Sequence, residues 1–179
     1  MFLQNKTLPR KIMQVIGFTI PYHKHLTSIT INSGLRIYTL YEIAKFLPDS
    51  NITELCLDNT FLTAANYHIL LTHGKLKHLS LARCSINDVV VKTITDQLGA
   101  DSPASRVLSA LNLSSNRITD VGAKYVAGML RTNRQLSYLN LAGNMITDEG
   151  GMSILDTLQK FPLGSQECLD SRARYVAYL

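Results

Sequence analysis

The sequence predicts an α/β solenoid: a right-handed, curved segment with parallel strands on its concave side and helices on its convex side. Three observations lead there. One spaced pattern, L-x-x-L-x-L-x-x-N/C-x-L, recurs as ITELCLDNTFL at Ile52–Leu62, LKHLSLARCSI at Leu76–Ile86, LSALNLSSNRI at Leu108–Ile118 and LSYLNLAGNMI at Leu136–Ile146, with a weaker copy, LTSITINSG, at Leu26–Gly34. Helical periodicity fills the segments between the copies. The leucines at the centre of each copy, Leu55, Leu79, Leu111 and Leu139, follow one another in steps of 24, 32 and 28 residues, room for one strand and one helix per unit, since a full helix needs a repeat of about 28 residues.

Each element follows from its residues. Alternation in Leu111-Asn112-Leu113 buries two leucines and turns the residue between them outward, the signature of a strand with one buried face. The same reading places Ile29 and Ile31 inward in the first copy. After each strand the chain turns sharply and leaves backbone groups without ladder partners, so the residue at the ninth position of the pattern must satisfy them. That residue is Thr60, Cys84, Asn116 and Asn144 in order. Asparagine both donates and accepts, so the last two turns are expected to be tied better than the first two.

Helices are predicted over Thr39–Leu47, ended by Pro48, over Thr63–Leu71 and over Asn87–Leu98. A further helix runs from a Thr119 or Asp120 cap, with Val126, Met129 and Leu130 on its buried stripe, and the last from Thr147 or Asp148, with Met152, Leu155 and Leu158. The 24-residue unit has a shortened helix, and the 32-residue unit carries a loop at Gly99–Pro103. Ahead of the repeats, Met13–Ile20 and Leu26–Ile31 read as two strands capping the open end, or else the first of them as a free amphipathic arm. After Pro162 no further copy follows, and Ser165–Leu179 reads as a cap over the last repeat or as a docking arm. The expected organisation is a basic segment and cap strand over 1–25, about five repeats over 26–162, and a tail or cap over 163–179.

The repeats, and above all LNLSSNRITDVGAKYVAGMLRTNRQLSYLNLAGNMITDEG, resemble the leucine-rich repeat family in its long, helix-containing, ribonuclease-inhibitor-like class. The resemblance covers about residues 15–160. Within the family the likeness is nearest to a member associated with motile cilia and axonemes, carried by Asn66-Tyr67-His68, the longer unit before LSALNL and the TDEGG ahead of the last helix. The resemblance therefore implies a cilium- or axoneme-associated scaffold in the cytoplasm, with axonemal or tubulin-associated proteins as partners.

Composition narrows the chemistry. Of the 179 residues 46% are hydrophobic and 17% charged, which fits a globular chain and excludes wholesale disorder. The longest apolar stretch, Ile12–Ile20, is interrupted by Gln14, Gly17 and Thr19. That is too short for a membrane span, and no small-residue cleavage site follows it. Cys56, Cys84 and Cys168 are sparse, odd in number and without a CxxC spacing, as suits free thiols in a reducing compartment. The net charge of +5 is that of residues 1–41, where Lys6, Arg10, Lys11, Lys24 and Arg36 meet no acid. Five charges so spread make a solubilising end or a weak contact to an acidic surface, not a specific nucleic-acid stripe.

No phosphate-cradling, zincin or nucleophile-elbow motif is present. His68, His73 and His78 recur at a spacing that distributes them over a helix, its end and a strand, so they diverge instead of converging on a metal. Acids beside Cys56, at Glu54 and Asp58, raise the pKa of a thiol there. Three sequons, at Asn5, Asn51 and Asn112, are read as chance matches. No catalytic residue, cofactor or metal is therefore expected, and the function predicted is binding of another protein. The outward strand positions form the candidate surface: Glu54, Cys56, Asp58, His78, Ser80, Asn112, Ser114, Tyr138 and Asn140, small and polar apart from Tyr138, an aromatic anchor. Two alternatives stay open: a regulator of a small GTPase presenting Arg83 or Arg117 from a turn, and a fragment of an innate immune sensor.

Overall fold

The computed structural model describes residues 9–62, 66–99 and 102–158, with 164, 165, 168, 169, 172, 173 and 176 of the last stretch. In chain order the elements are α1 (Arg10–Thr19), β1 (Ser28–Thr30), α2 (Ile37–Phe46), β2 (Glu54–Cys56), β3 (His78–Ser80), α3 (Asp88–Asp96), β4 (Ala110–Asn112), α4 (Asp120–Thr132), β5 (Tyr138–Asn140) and α5 (Asp148–Leu158). Short 3-10 turns lie at Ile20–Tyr22, Tyr67–Leu70 and Pro103–Arg106. The five strands pair parallel in chain order, with Ile29, Leu55, Leu79, Leu111 and Leu139 in register. This is the α/β solenoid that the repeat pattern predicts.

The core is the stack of repeat leucines. In the central repeats Leu55, Leu57, Leu79, Leu81, Leu111 and Leu113 are buried, whereas Leu139 and Leu141 of the last repeat are half-exposed. Full burial of one such side chain stabilises by about 1.5–3 kcal/mol, so each repeat depends on the next one to cover it.

A polar ladder runs beside the stack. Asn116 Nδ2 donates to the carbonyls of Leu81 and Leu113, both at 2.9 Å, while its Oδ1 accepts from the amides of Cys84 at 2.9 Å and Ile86 at 3.0 Å. Asn144 repeats the arrangement: Nδ2 donates to Leu113 at 2.9 Å and Leu141 at 2.7 Å, and Oδ1 accepts from Ile118 at 3.1 Å. Earlier in the chain the Thr60 hydroxyl and the Cys84 thiol both donate to the Leu57 carbonyl. Neither Thr60 nor Cys84 has an amide oxygen with which to accept backbone N–H groups from the preceding repeat. The residue just before each turn position adopts a positive φ: Asn59, Arg83, Ser115 and Gly143, at 58°, 56°, 54° and 71°.

A second relay ties the helix starts together. Asp88, the first residue of α3, caps the start of α4: Oδ1 accepts from the amides of Thr119 at 2.8 Å and Gly122 at 3.0 Å, and Oδ2 from the Thr119 hydroxyl at 2.7 Å. Asp120, the first residue of α4, does the same for α5 through Thr147 and Gly150. The Thr147 hydroxyl, with its amide and that of Gly150, holds the Asp120 carboxyl below its ordinary pKa. Both glycines are required by space: a Cβ on Gly122 would meet Asp88 Oδ1 and Ile118 Cγ2 at 2.5 Å.

Four expectations change. Met13–Ile20 is not a cap strand and not a free arm: it lies within α1 and the following 3-10 turn, with Met13 and Ile20 buried and Gly17 against Phe46 of α2. Met13, Ile16 and Ile20 recur at helical spacing, and β1 pairs with β2 instead of forming a hairpin. Second, of the helix expected over Thr63–Leu71, the described part is the 3-10 turn at Tyr67–Leu70, as a 24-residue unit leaves no length for a full helix; residues 63–65 lie outside the described ones. Third, Met152, Leu155 and Leu158 do not line the core: they are exposed, and Ile154 packs inward. Last, the remaining helix boundaries shift by one or two residues, with Asn87 and Thr119 as side-chain caps. The tail or cap expected over 163–179 falls mostly outside the described residues.

Asn116→Ala leaves buried amides and carbonyls of two repeats unpaired, and is expected to lower stability in urea by about 1–3 kcal/mol, more than Asn144→Ala at its half-exposed site. The glycines of α4 separate conformational freedom from space. Gly128→Ala, with nothing within 4 Å of the added carbon, is expected to stabilise by about 0.5–1 kcal/mol, whereas Gly122→Ala is expected to destabilise; thermal melts of the two variants provide the check.

Candidate functional site

The outward strand residues align in rows fixed by the strand register. One row reads Ser28, Glu54, His78, Ala110, Tyr138; the next reads Thr30, Cys56, Ser80, Asn112, Asn140. Glu54, Cys56, His78, Ser80, Asn112 and Tyr138 line one open groove of about 350 Å³. Asp58 and Ser114 stand in the turns one step beyond, and Asn140 on the last strand.

The first row carries the most varied chemistry. Glu54 Oε1 lies 3.3 Å from His78 Nδ1, an exposed pair of small energetic weight. Ala110 separates His78 from Tyr138. Strands lie about 4.8 Å apart, so the Cα atoms of His78 and Tyr138 are about 10 Å apart, with the Ala110 methyl between them. Tyr138 is 55% exposed.

The second row is held by its own hydrogen bonds. Asn112 Nδ2 donates to Ser80 Oγ at 3.0 Å, and Ser80 donates to Asp58 Oδ1 at 2.7 Å. Asp58 Oδ1 also accepts from the Ala82 amide at 2.8 Å; Asn112 and Asn140 accept from Ser114 and Ala142 at 3.1 and 3.0 Å. These side chains close their own turns first and so present a rigid polar floor. Burial raises the Cys56 thiol pKa, with the charge of Asp58 adding to it, although an Asp58 backbone bond pulls the other way. Cys84 is deeper, and burial shifts its thiol up, opposed by hydrogen bonds from Thr60 and Tyr67 that pull it down. Tyr67 is fully buried, its hydroxyl donating to the Thr60 carbonyl at 2.7 Å, and its pKa is raised by that burial.

The histidines diverge: His68 in the 3-10 turn, His73 in the loop after it and His78 on β3. Among the described residues no group of three or more His, Cys, Asp or Glu is placed to hold a metal ion. Nor is any helix of the described residues long and apolar enough to cross a membrane. Arg83 and Arg117 sit exposed in successive turns, away from the groove.

A second concavity, of about 510 Å³, escaped the sequence reading. Gly17, Phe18, Pro21 and Tyr22 on α1 and its 3-10 turn face Phe46 of α2, with Glu42, Lys45 and Asp49 at the side. Its signal in the sequence is a helix with apolar residues on two faces: Met13, Ile16 and Ile20 turn inward while Ile12, Val15 and Phe18 stay exposed.

Residues 104–127 and 132–155 match the family model described as Leucine Rich repeat. Among solved structures the chain is similar to the actin-binding site 2 of leiomodin-1, with a TM-score of 0.50 and 17% identity over 90% of this chain and 86% of that one. An internalin from Listeria monocytogenes gives a TM-score of 0.48 at 18% identity, covering 88% of this chain and 39% of that chain. The C-terminal domain of a tropomodulin from Caenorhabditis elegans gives 0.41 at 11%, covering 92% and 98%. No curated protein matches by sequence. The α/β solenoid is thus a leucine-rich repeat fold, its two matched repeats being those in which asparagine holds the turn.

With Cys84 buried and both thiols shifted upward, neither Cys56 nor Cys84 is expected to be alkylated rapidly by iodoacetamide at pH 7. On raising the pH, Cys56 is expected to react first and Cys84 only as the fold opens. Mass spectrometry of peptides from a timed reaction reads both.

Proposed function

We propose that this protein is a non-enzymatic interaction module that receives a segment of a partner protein on its strand face, as part of a cilium- or axoneme-associated assembly. One observation carries the first half: a rigid row of small polar side chains beside a gap flanked by His78 and Tyr138 and floored by Ala110. Such a surface admits a close-approaching backbone with one inserted side chain, and Tyr138 supplies the aromatic anchor typical of energetic centres in interfaces. Its hydroxyl–carboxylate pair, Ser80 on Asp58, is tied into the turn by the Ala82 amide and by Asn112. The cilium rests on the sequence resemblance, in which the likeness is to leucine-rich repeat-containing protein seventy-one; axonemal or tubulin-associated proteins are the partners in keeping with it. The leiomodin-1 structure is named for an actin-binding site, which makes actin filaments a second ligand to test. Regulation of a small GTPase through Arg83 or Arg117 and an immune-sensor fragment remain the alternatives, with no side chain of the groove supporting either.

Affinity purification from ciliated and non-ciliated cells, with actin-filament and microtubule co-sedimentation alongside, tests the reading. Axonemal proteins are expected with the wild-type chain. Tyr138→Ala is expected to weaken their capture by about 1–2 kcal/mol while leaving the melting temperature in place. Recovery of a GTPase, or capture indifferent to Tyr138, would reject the proposal.

A further inference from the structure

Each buried turn residue of the central repeats has an outward neighbour on either side. Arg83 and Ser85 flank Cys84, and Ser115 and Arg117 flank Asn116. Backbone bonds hold the two turns against each other. The Arg83 amide donates to the Ser114 carbonyl at 3.1 Å, and the Arg117 amide to that of Ile86 at 2.8 Å. Arg83 therefore stands beside Ser115 and Arg117 beside Ser85, on turns one strand spacing, about 4.8 Å, apart. The four positions form a square with the arginines on one diagonal and the serines on the other. Both arginines are exposed, and neither makes an ion pair or a side-chain hydrogen bond among the described residues. The hydroxyls of Ser85 and Ser115 have no hydrogen-bond partner there either. Carboxylates of these repeats and the one before are engaged elsewhere: Asp58 accepts from Ser80 and the Ala82 amide, while Asp88 and Asp120 cap helices.

The fold itself gives no reason for an arginine at position 83. Its φ of 56° lies in the left-handed region, where the equivalent residues of the other turns are Asn59, Ser115 and Gly143. A short polar side chain or none suits that conformation, and a bulky one is an outlier there. Gly143 adds room on the far side of the square: a Cβ on it would stand 3.1 Å from Ser115 Oγ, so the glycine leaves that hydroxyl open.

We propose that Arg83 and Arg117, with the Ser85 and Ser115 hydroxyls, bind a phosphate group carried on a phosphorylated serine or threonine of a partner protein. A guanidinium presents a planar fork of N–H donors that matches phosphate oxygens two at a time. Two forks and two hydroxyls call for more acceptors than the two oxygens of a carboxylate. A phosphomonoester offers three oxygens and nearly two negative charges. Two cations are too few for a lipid surface or a nucleic acid, which are met by clusters or stripes of Lys and Arg. Apolar side chains border the square. Phe61 holds the position of Ser85 one repeat earlier and Met145 that of Arg117 one repeat later, 67% and 56% exposed. They offer contact to residues on either side of a phosphorylated one, which favours a peptide. This surface lies outside the strand groove, so the inference stands apart from the strand-face reading and does not depend on it.

The test titrates the isotope-labelled, full 179-residue protein with the peptide Gly-Leu-phosphoserine-Leu-Gly and with its serine and glutamate counterparts. Arginine Nε–H and serine amide resonances are followed by NMR. Saturable shifts confined to Arg83, Arg117, Ser85, Ser115 and their neighbours are expected with the phosphopeptide at millimolar concentration. Affinity is expected to fall about tenfold with Arg83→Asn, with Arg117→Gln, or with glutamate in place of phosphoserine, as for loss of a charge-assisted hydrogen bond. Arg83→Asn is expected to keep or raise the melting temperature, since asparagine suits the left-handed φ; a melting temperature lowered by both variants assigns the arginines to the fold and overturns the proposal. Absence of shifts, shifts spread over the basic residues of the chain, or binding indifferent to both substitutions also overturns it. So does equal binding of the glutamate peptide, which assigns the site to carboxylates. Binding of phosphatidylserine vesicles that both variants abolish, with no response to the phosphopeptide, assigns it to a lipid surface and rejects the peptide.

Discussion

Every strand among the described residues is three residues long, so what holds the repeats in register is the side chain at the turn after each strand. The Leu113 carbonyl shows the constraint most clearly, since it accepts from Asn116 of its own repeat and from Asn144 of the next. The Leu57 carbonyl is held likewise by Thr60 and Cys84. Buried carbonyls without partners are expensive, and the sharp turn, with its recurrent positive φ, leaves these ones beyond reach of the sheet. In the repeats of Cys84, Asn116 and Asn144 one side chain therefore bonds its own turn and that of the repeat before it, and the spacing of the leucines, the burial of the core and the rows of the strand face all depend on it.

The strand face inherits its order from this ladder. Glu54, His78, Ala110 and Tyr138 share a row because Leu55, Leu79, Leu111 and Leu139 are locked in register behind them. A one-residue slip would exchange the two sets and place leucines in solvent. The surface is thus rigid without owing its rigidity to the side chains that a partner would touch, and Tyr138 in particular is free of structural duty. The helix-capping aspartates Asp88 and Asp120 give the other side of the solenoid a similar order.

Much of this was legible in the residues. The five strands, their parallel order and the turn positions follow from the leucine spacing, since a pattern repeated at one interval fixes which side chains meet. The outward residues could be named from the same alternation. What escaped reading depends on neighbours in space. Met13–Ile20 is short, apolar and rich in β-branched residues, and such a run does not distinguish a strand from a helix by itself; contact with Phe46 decides. Met152, Leu155 and Leu158 do lie on one side of a helix, but which side faces the core is set by Gly150 fitting against Asp120, an interaction reaching back across a whole repeat. The short unit containing Tyr67 shows the same limit: its length excluded a full helix, but not the 3-10 turn that replaced it.

Amide hydrogen exchange tests the central claim most directly. The amides of Cys84 and Ile86 donate to Asn116 Oδ1, and that of Ile118 to Asn144 Oδ1; none belongs to a helix or a strand. If the turn side chains hold the repeats together, the Cys84 and Ile86 amides exchange only through global unfolding, as slowly as the slowest amides of β3 and β4. Exchange at the rate of exposed loops, with the strands still protected, would contradict the account, because the register would then be held by the leucine stack alone.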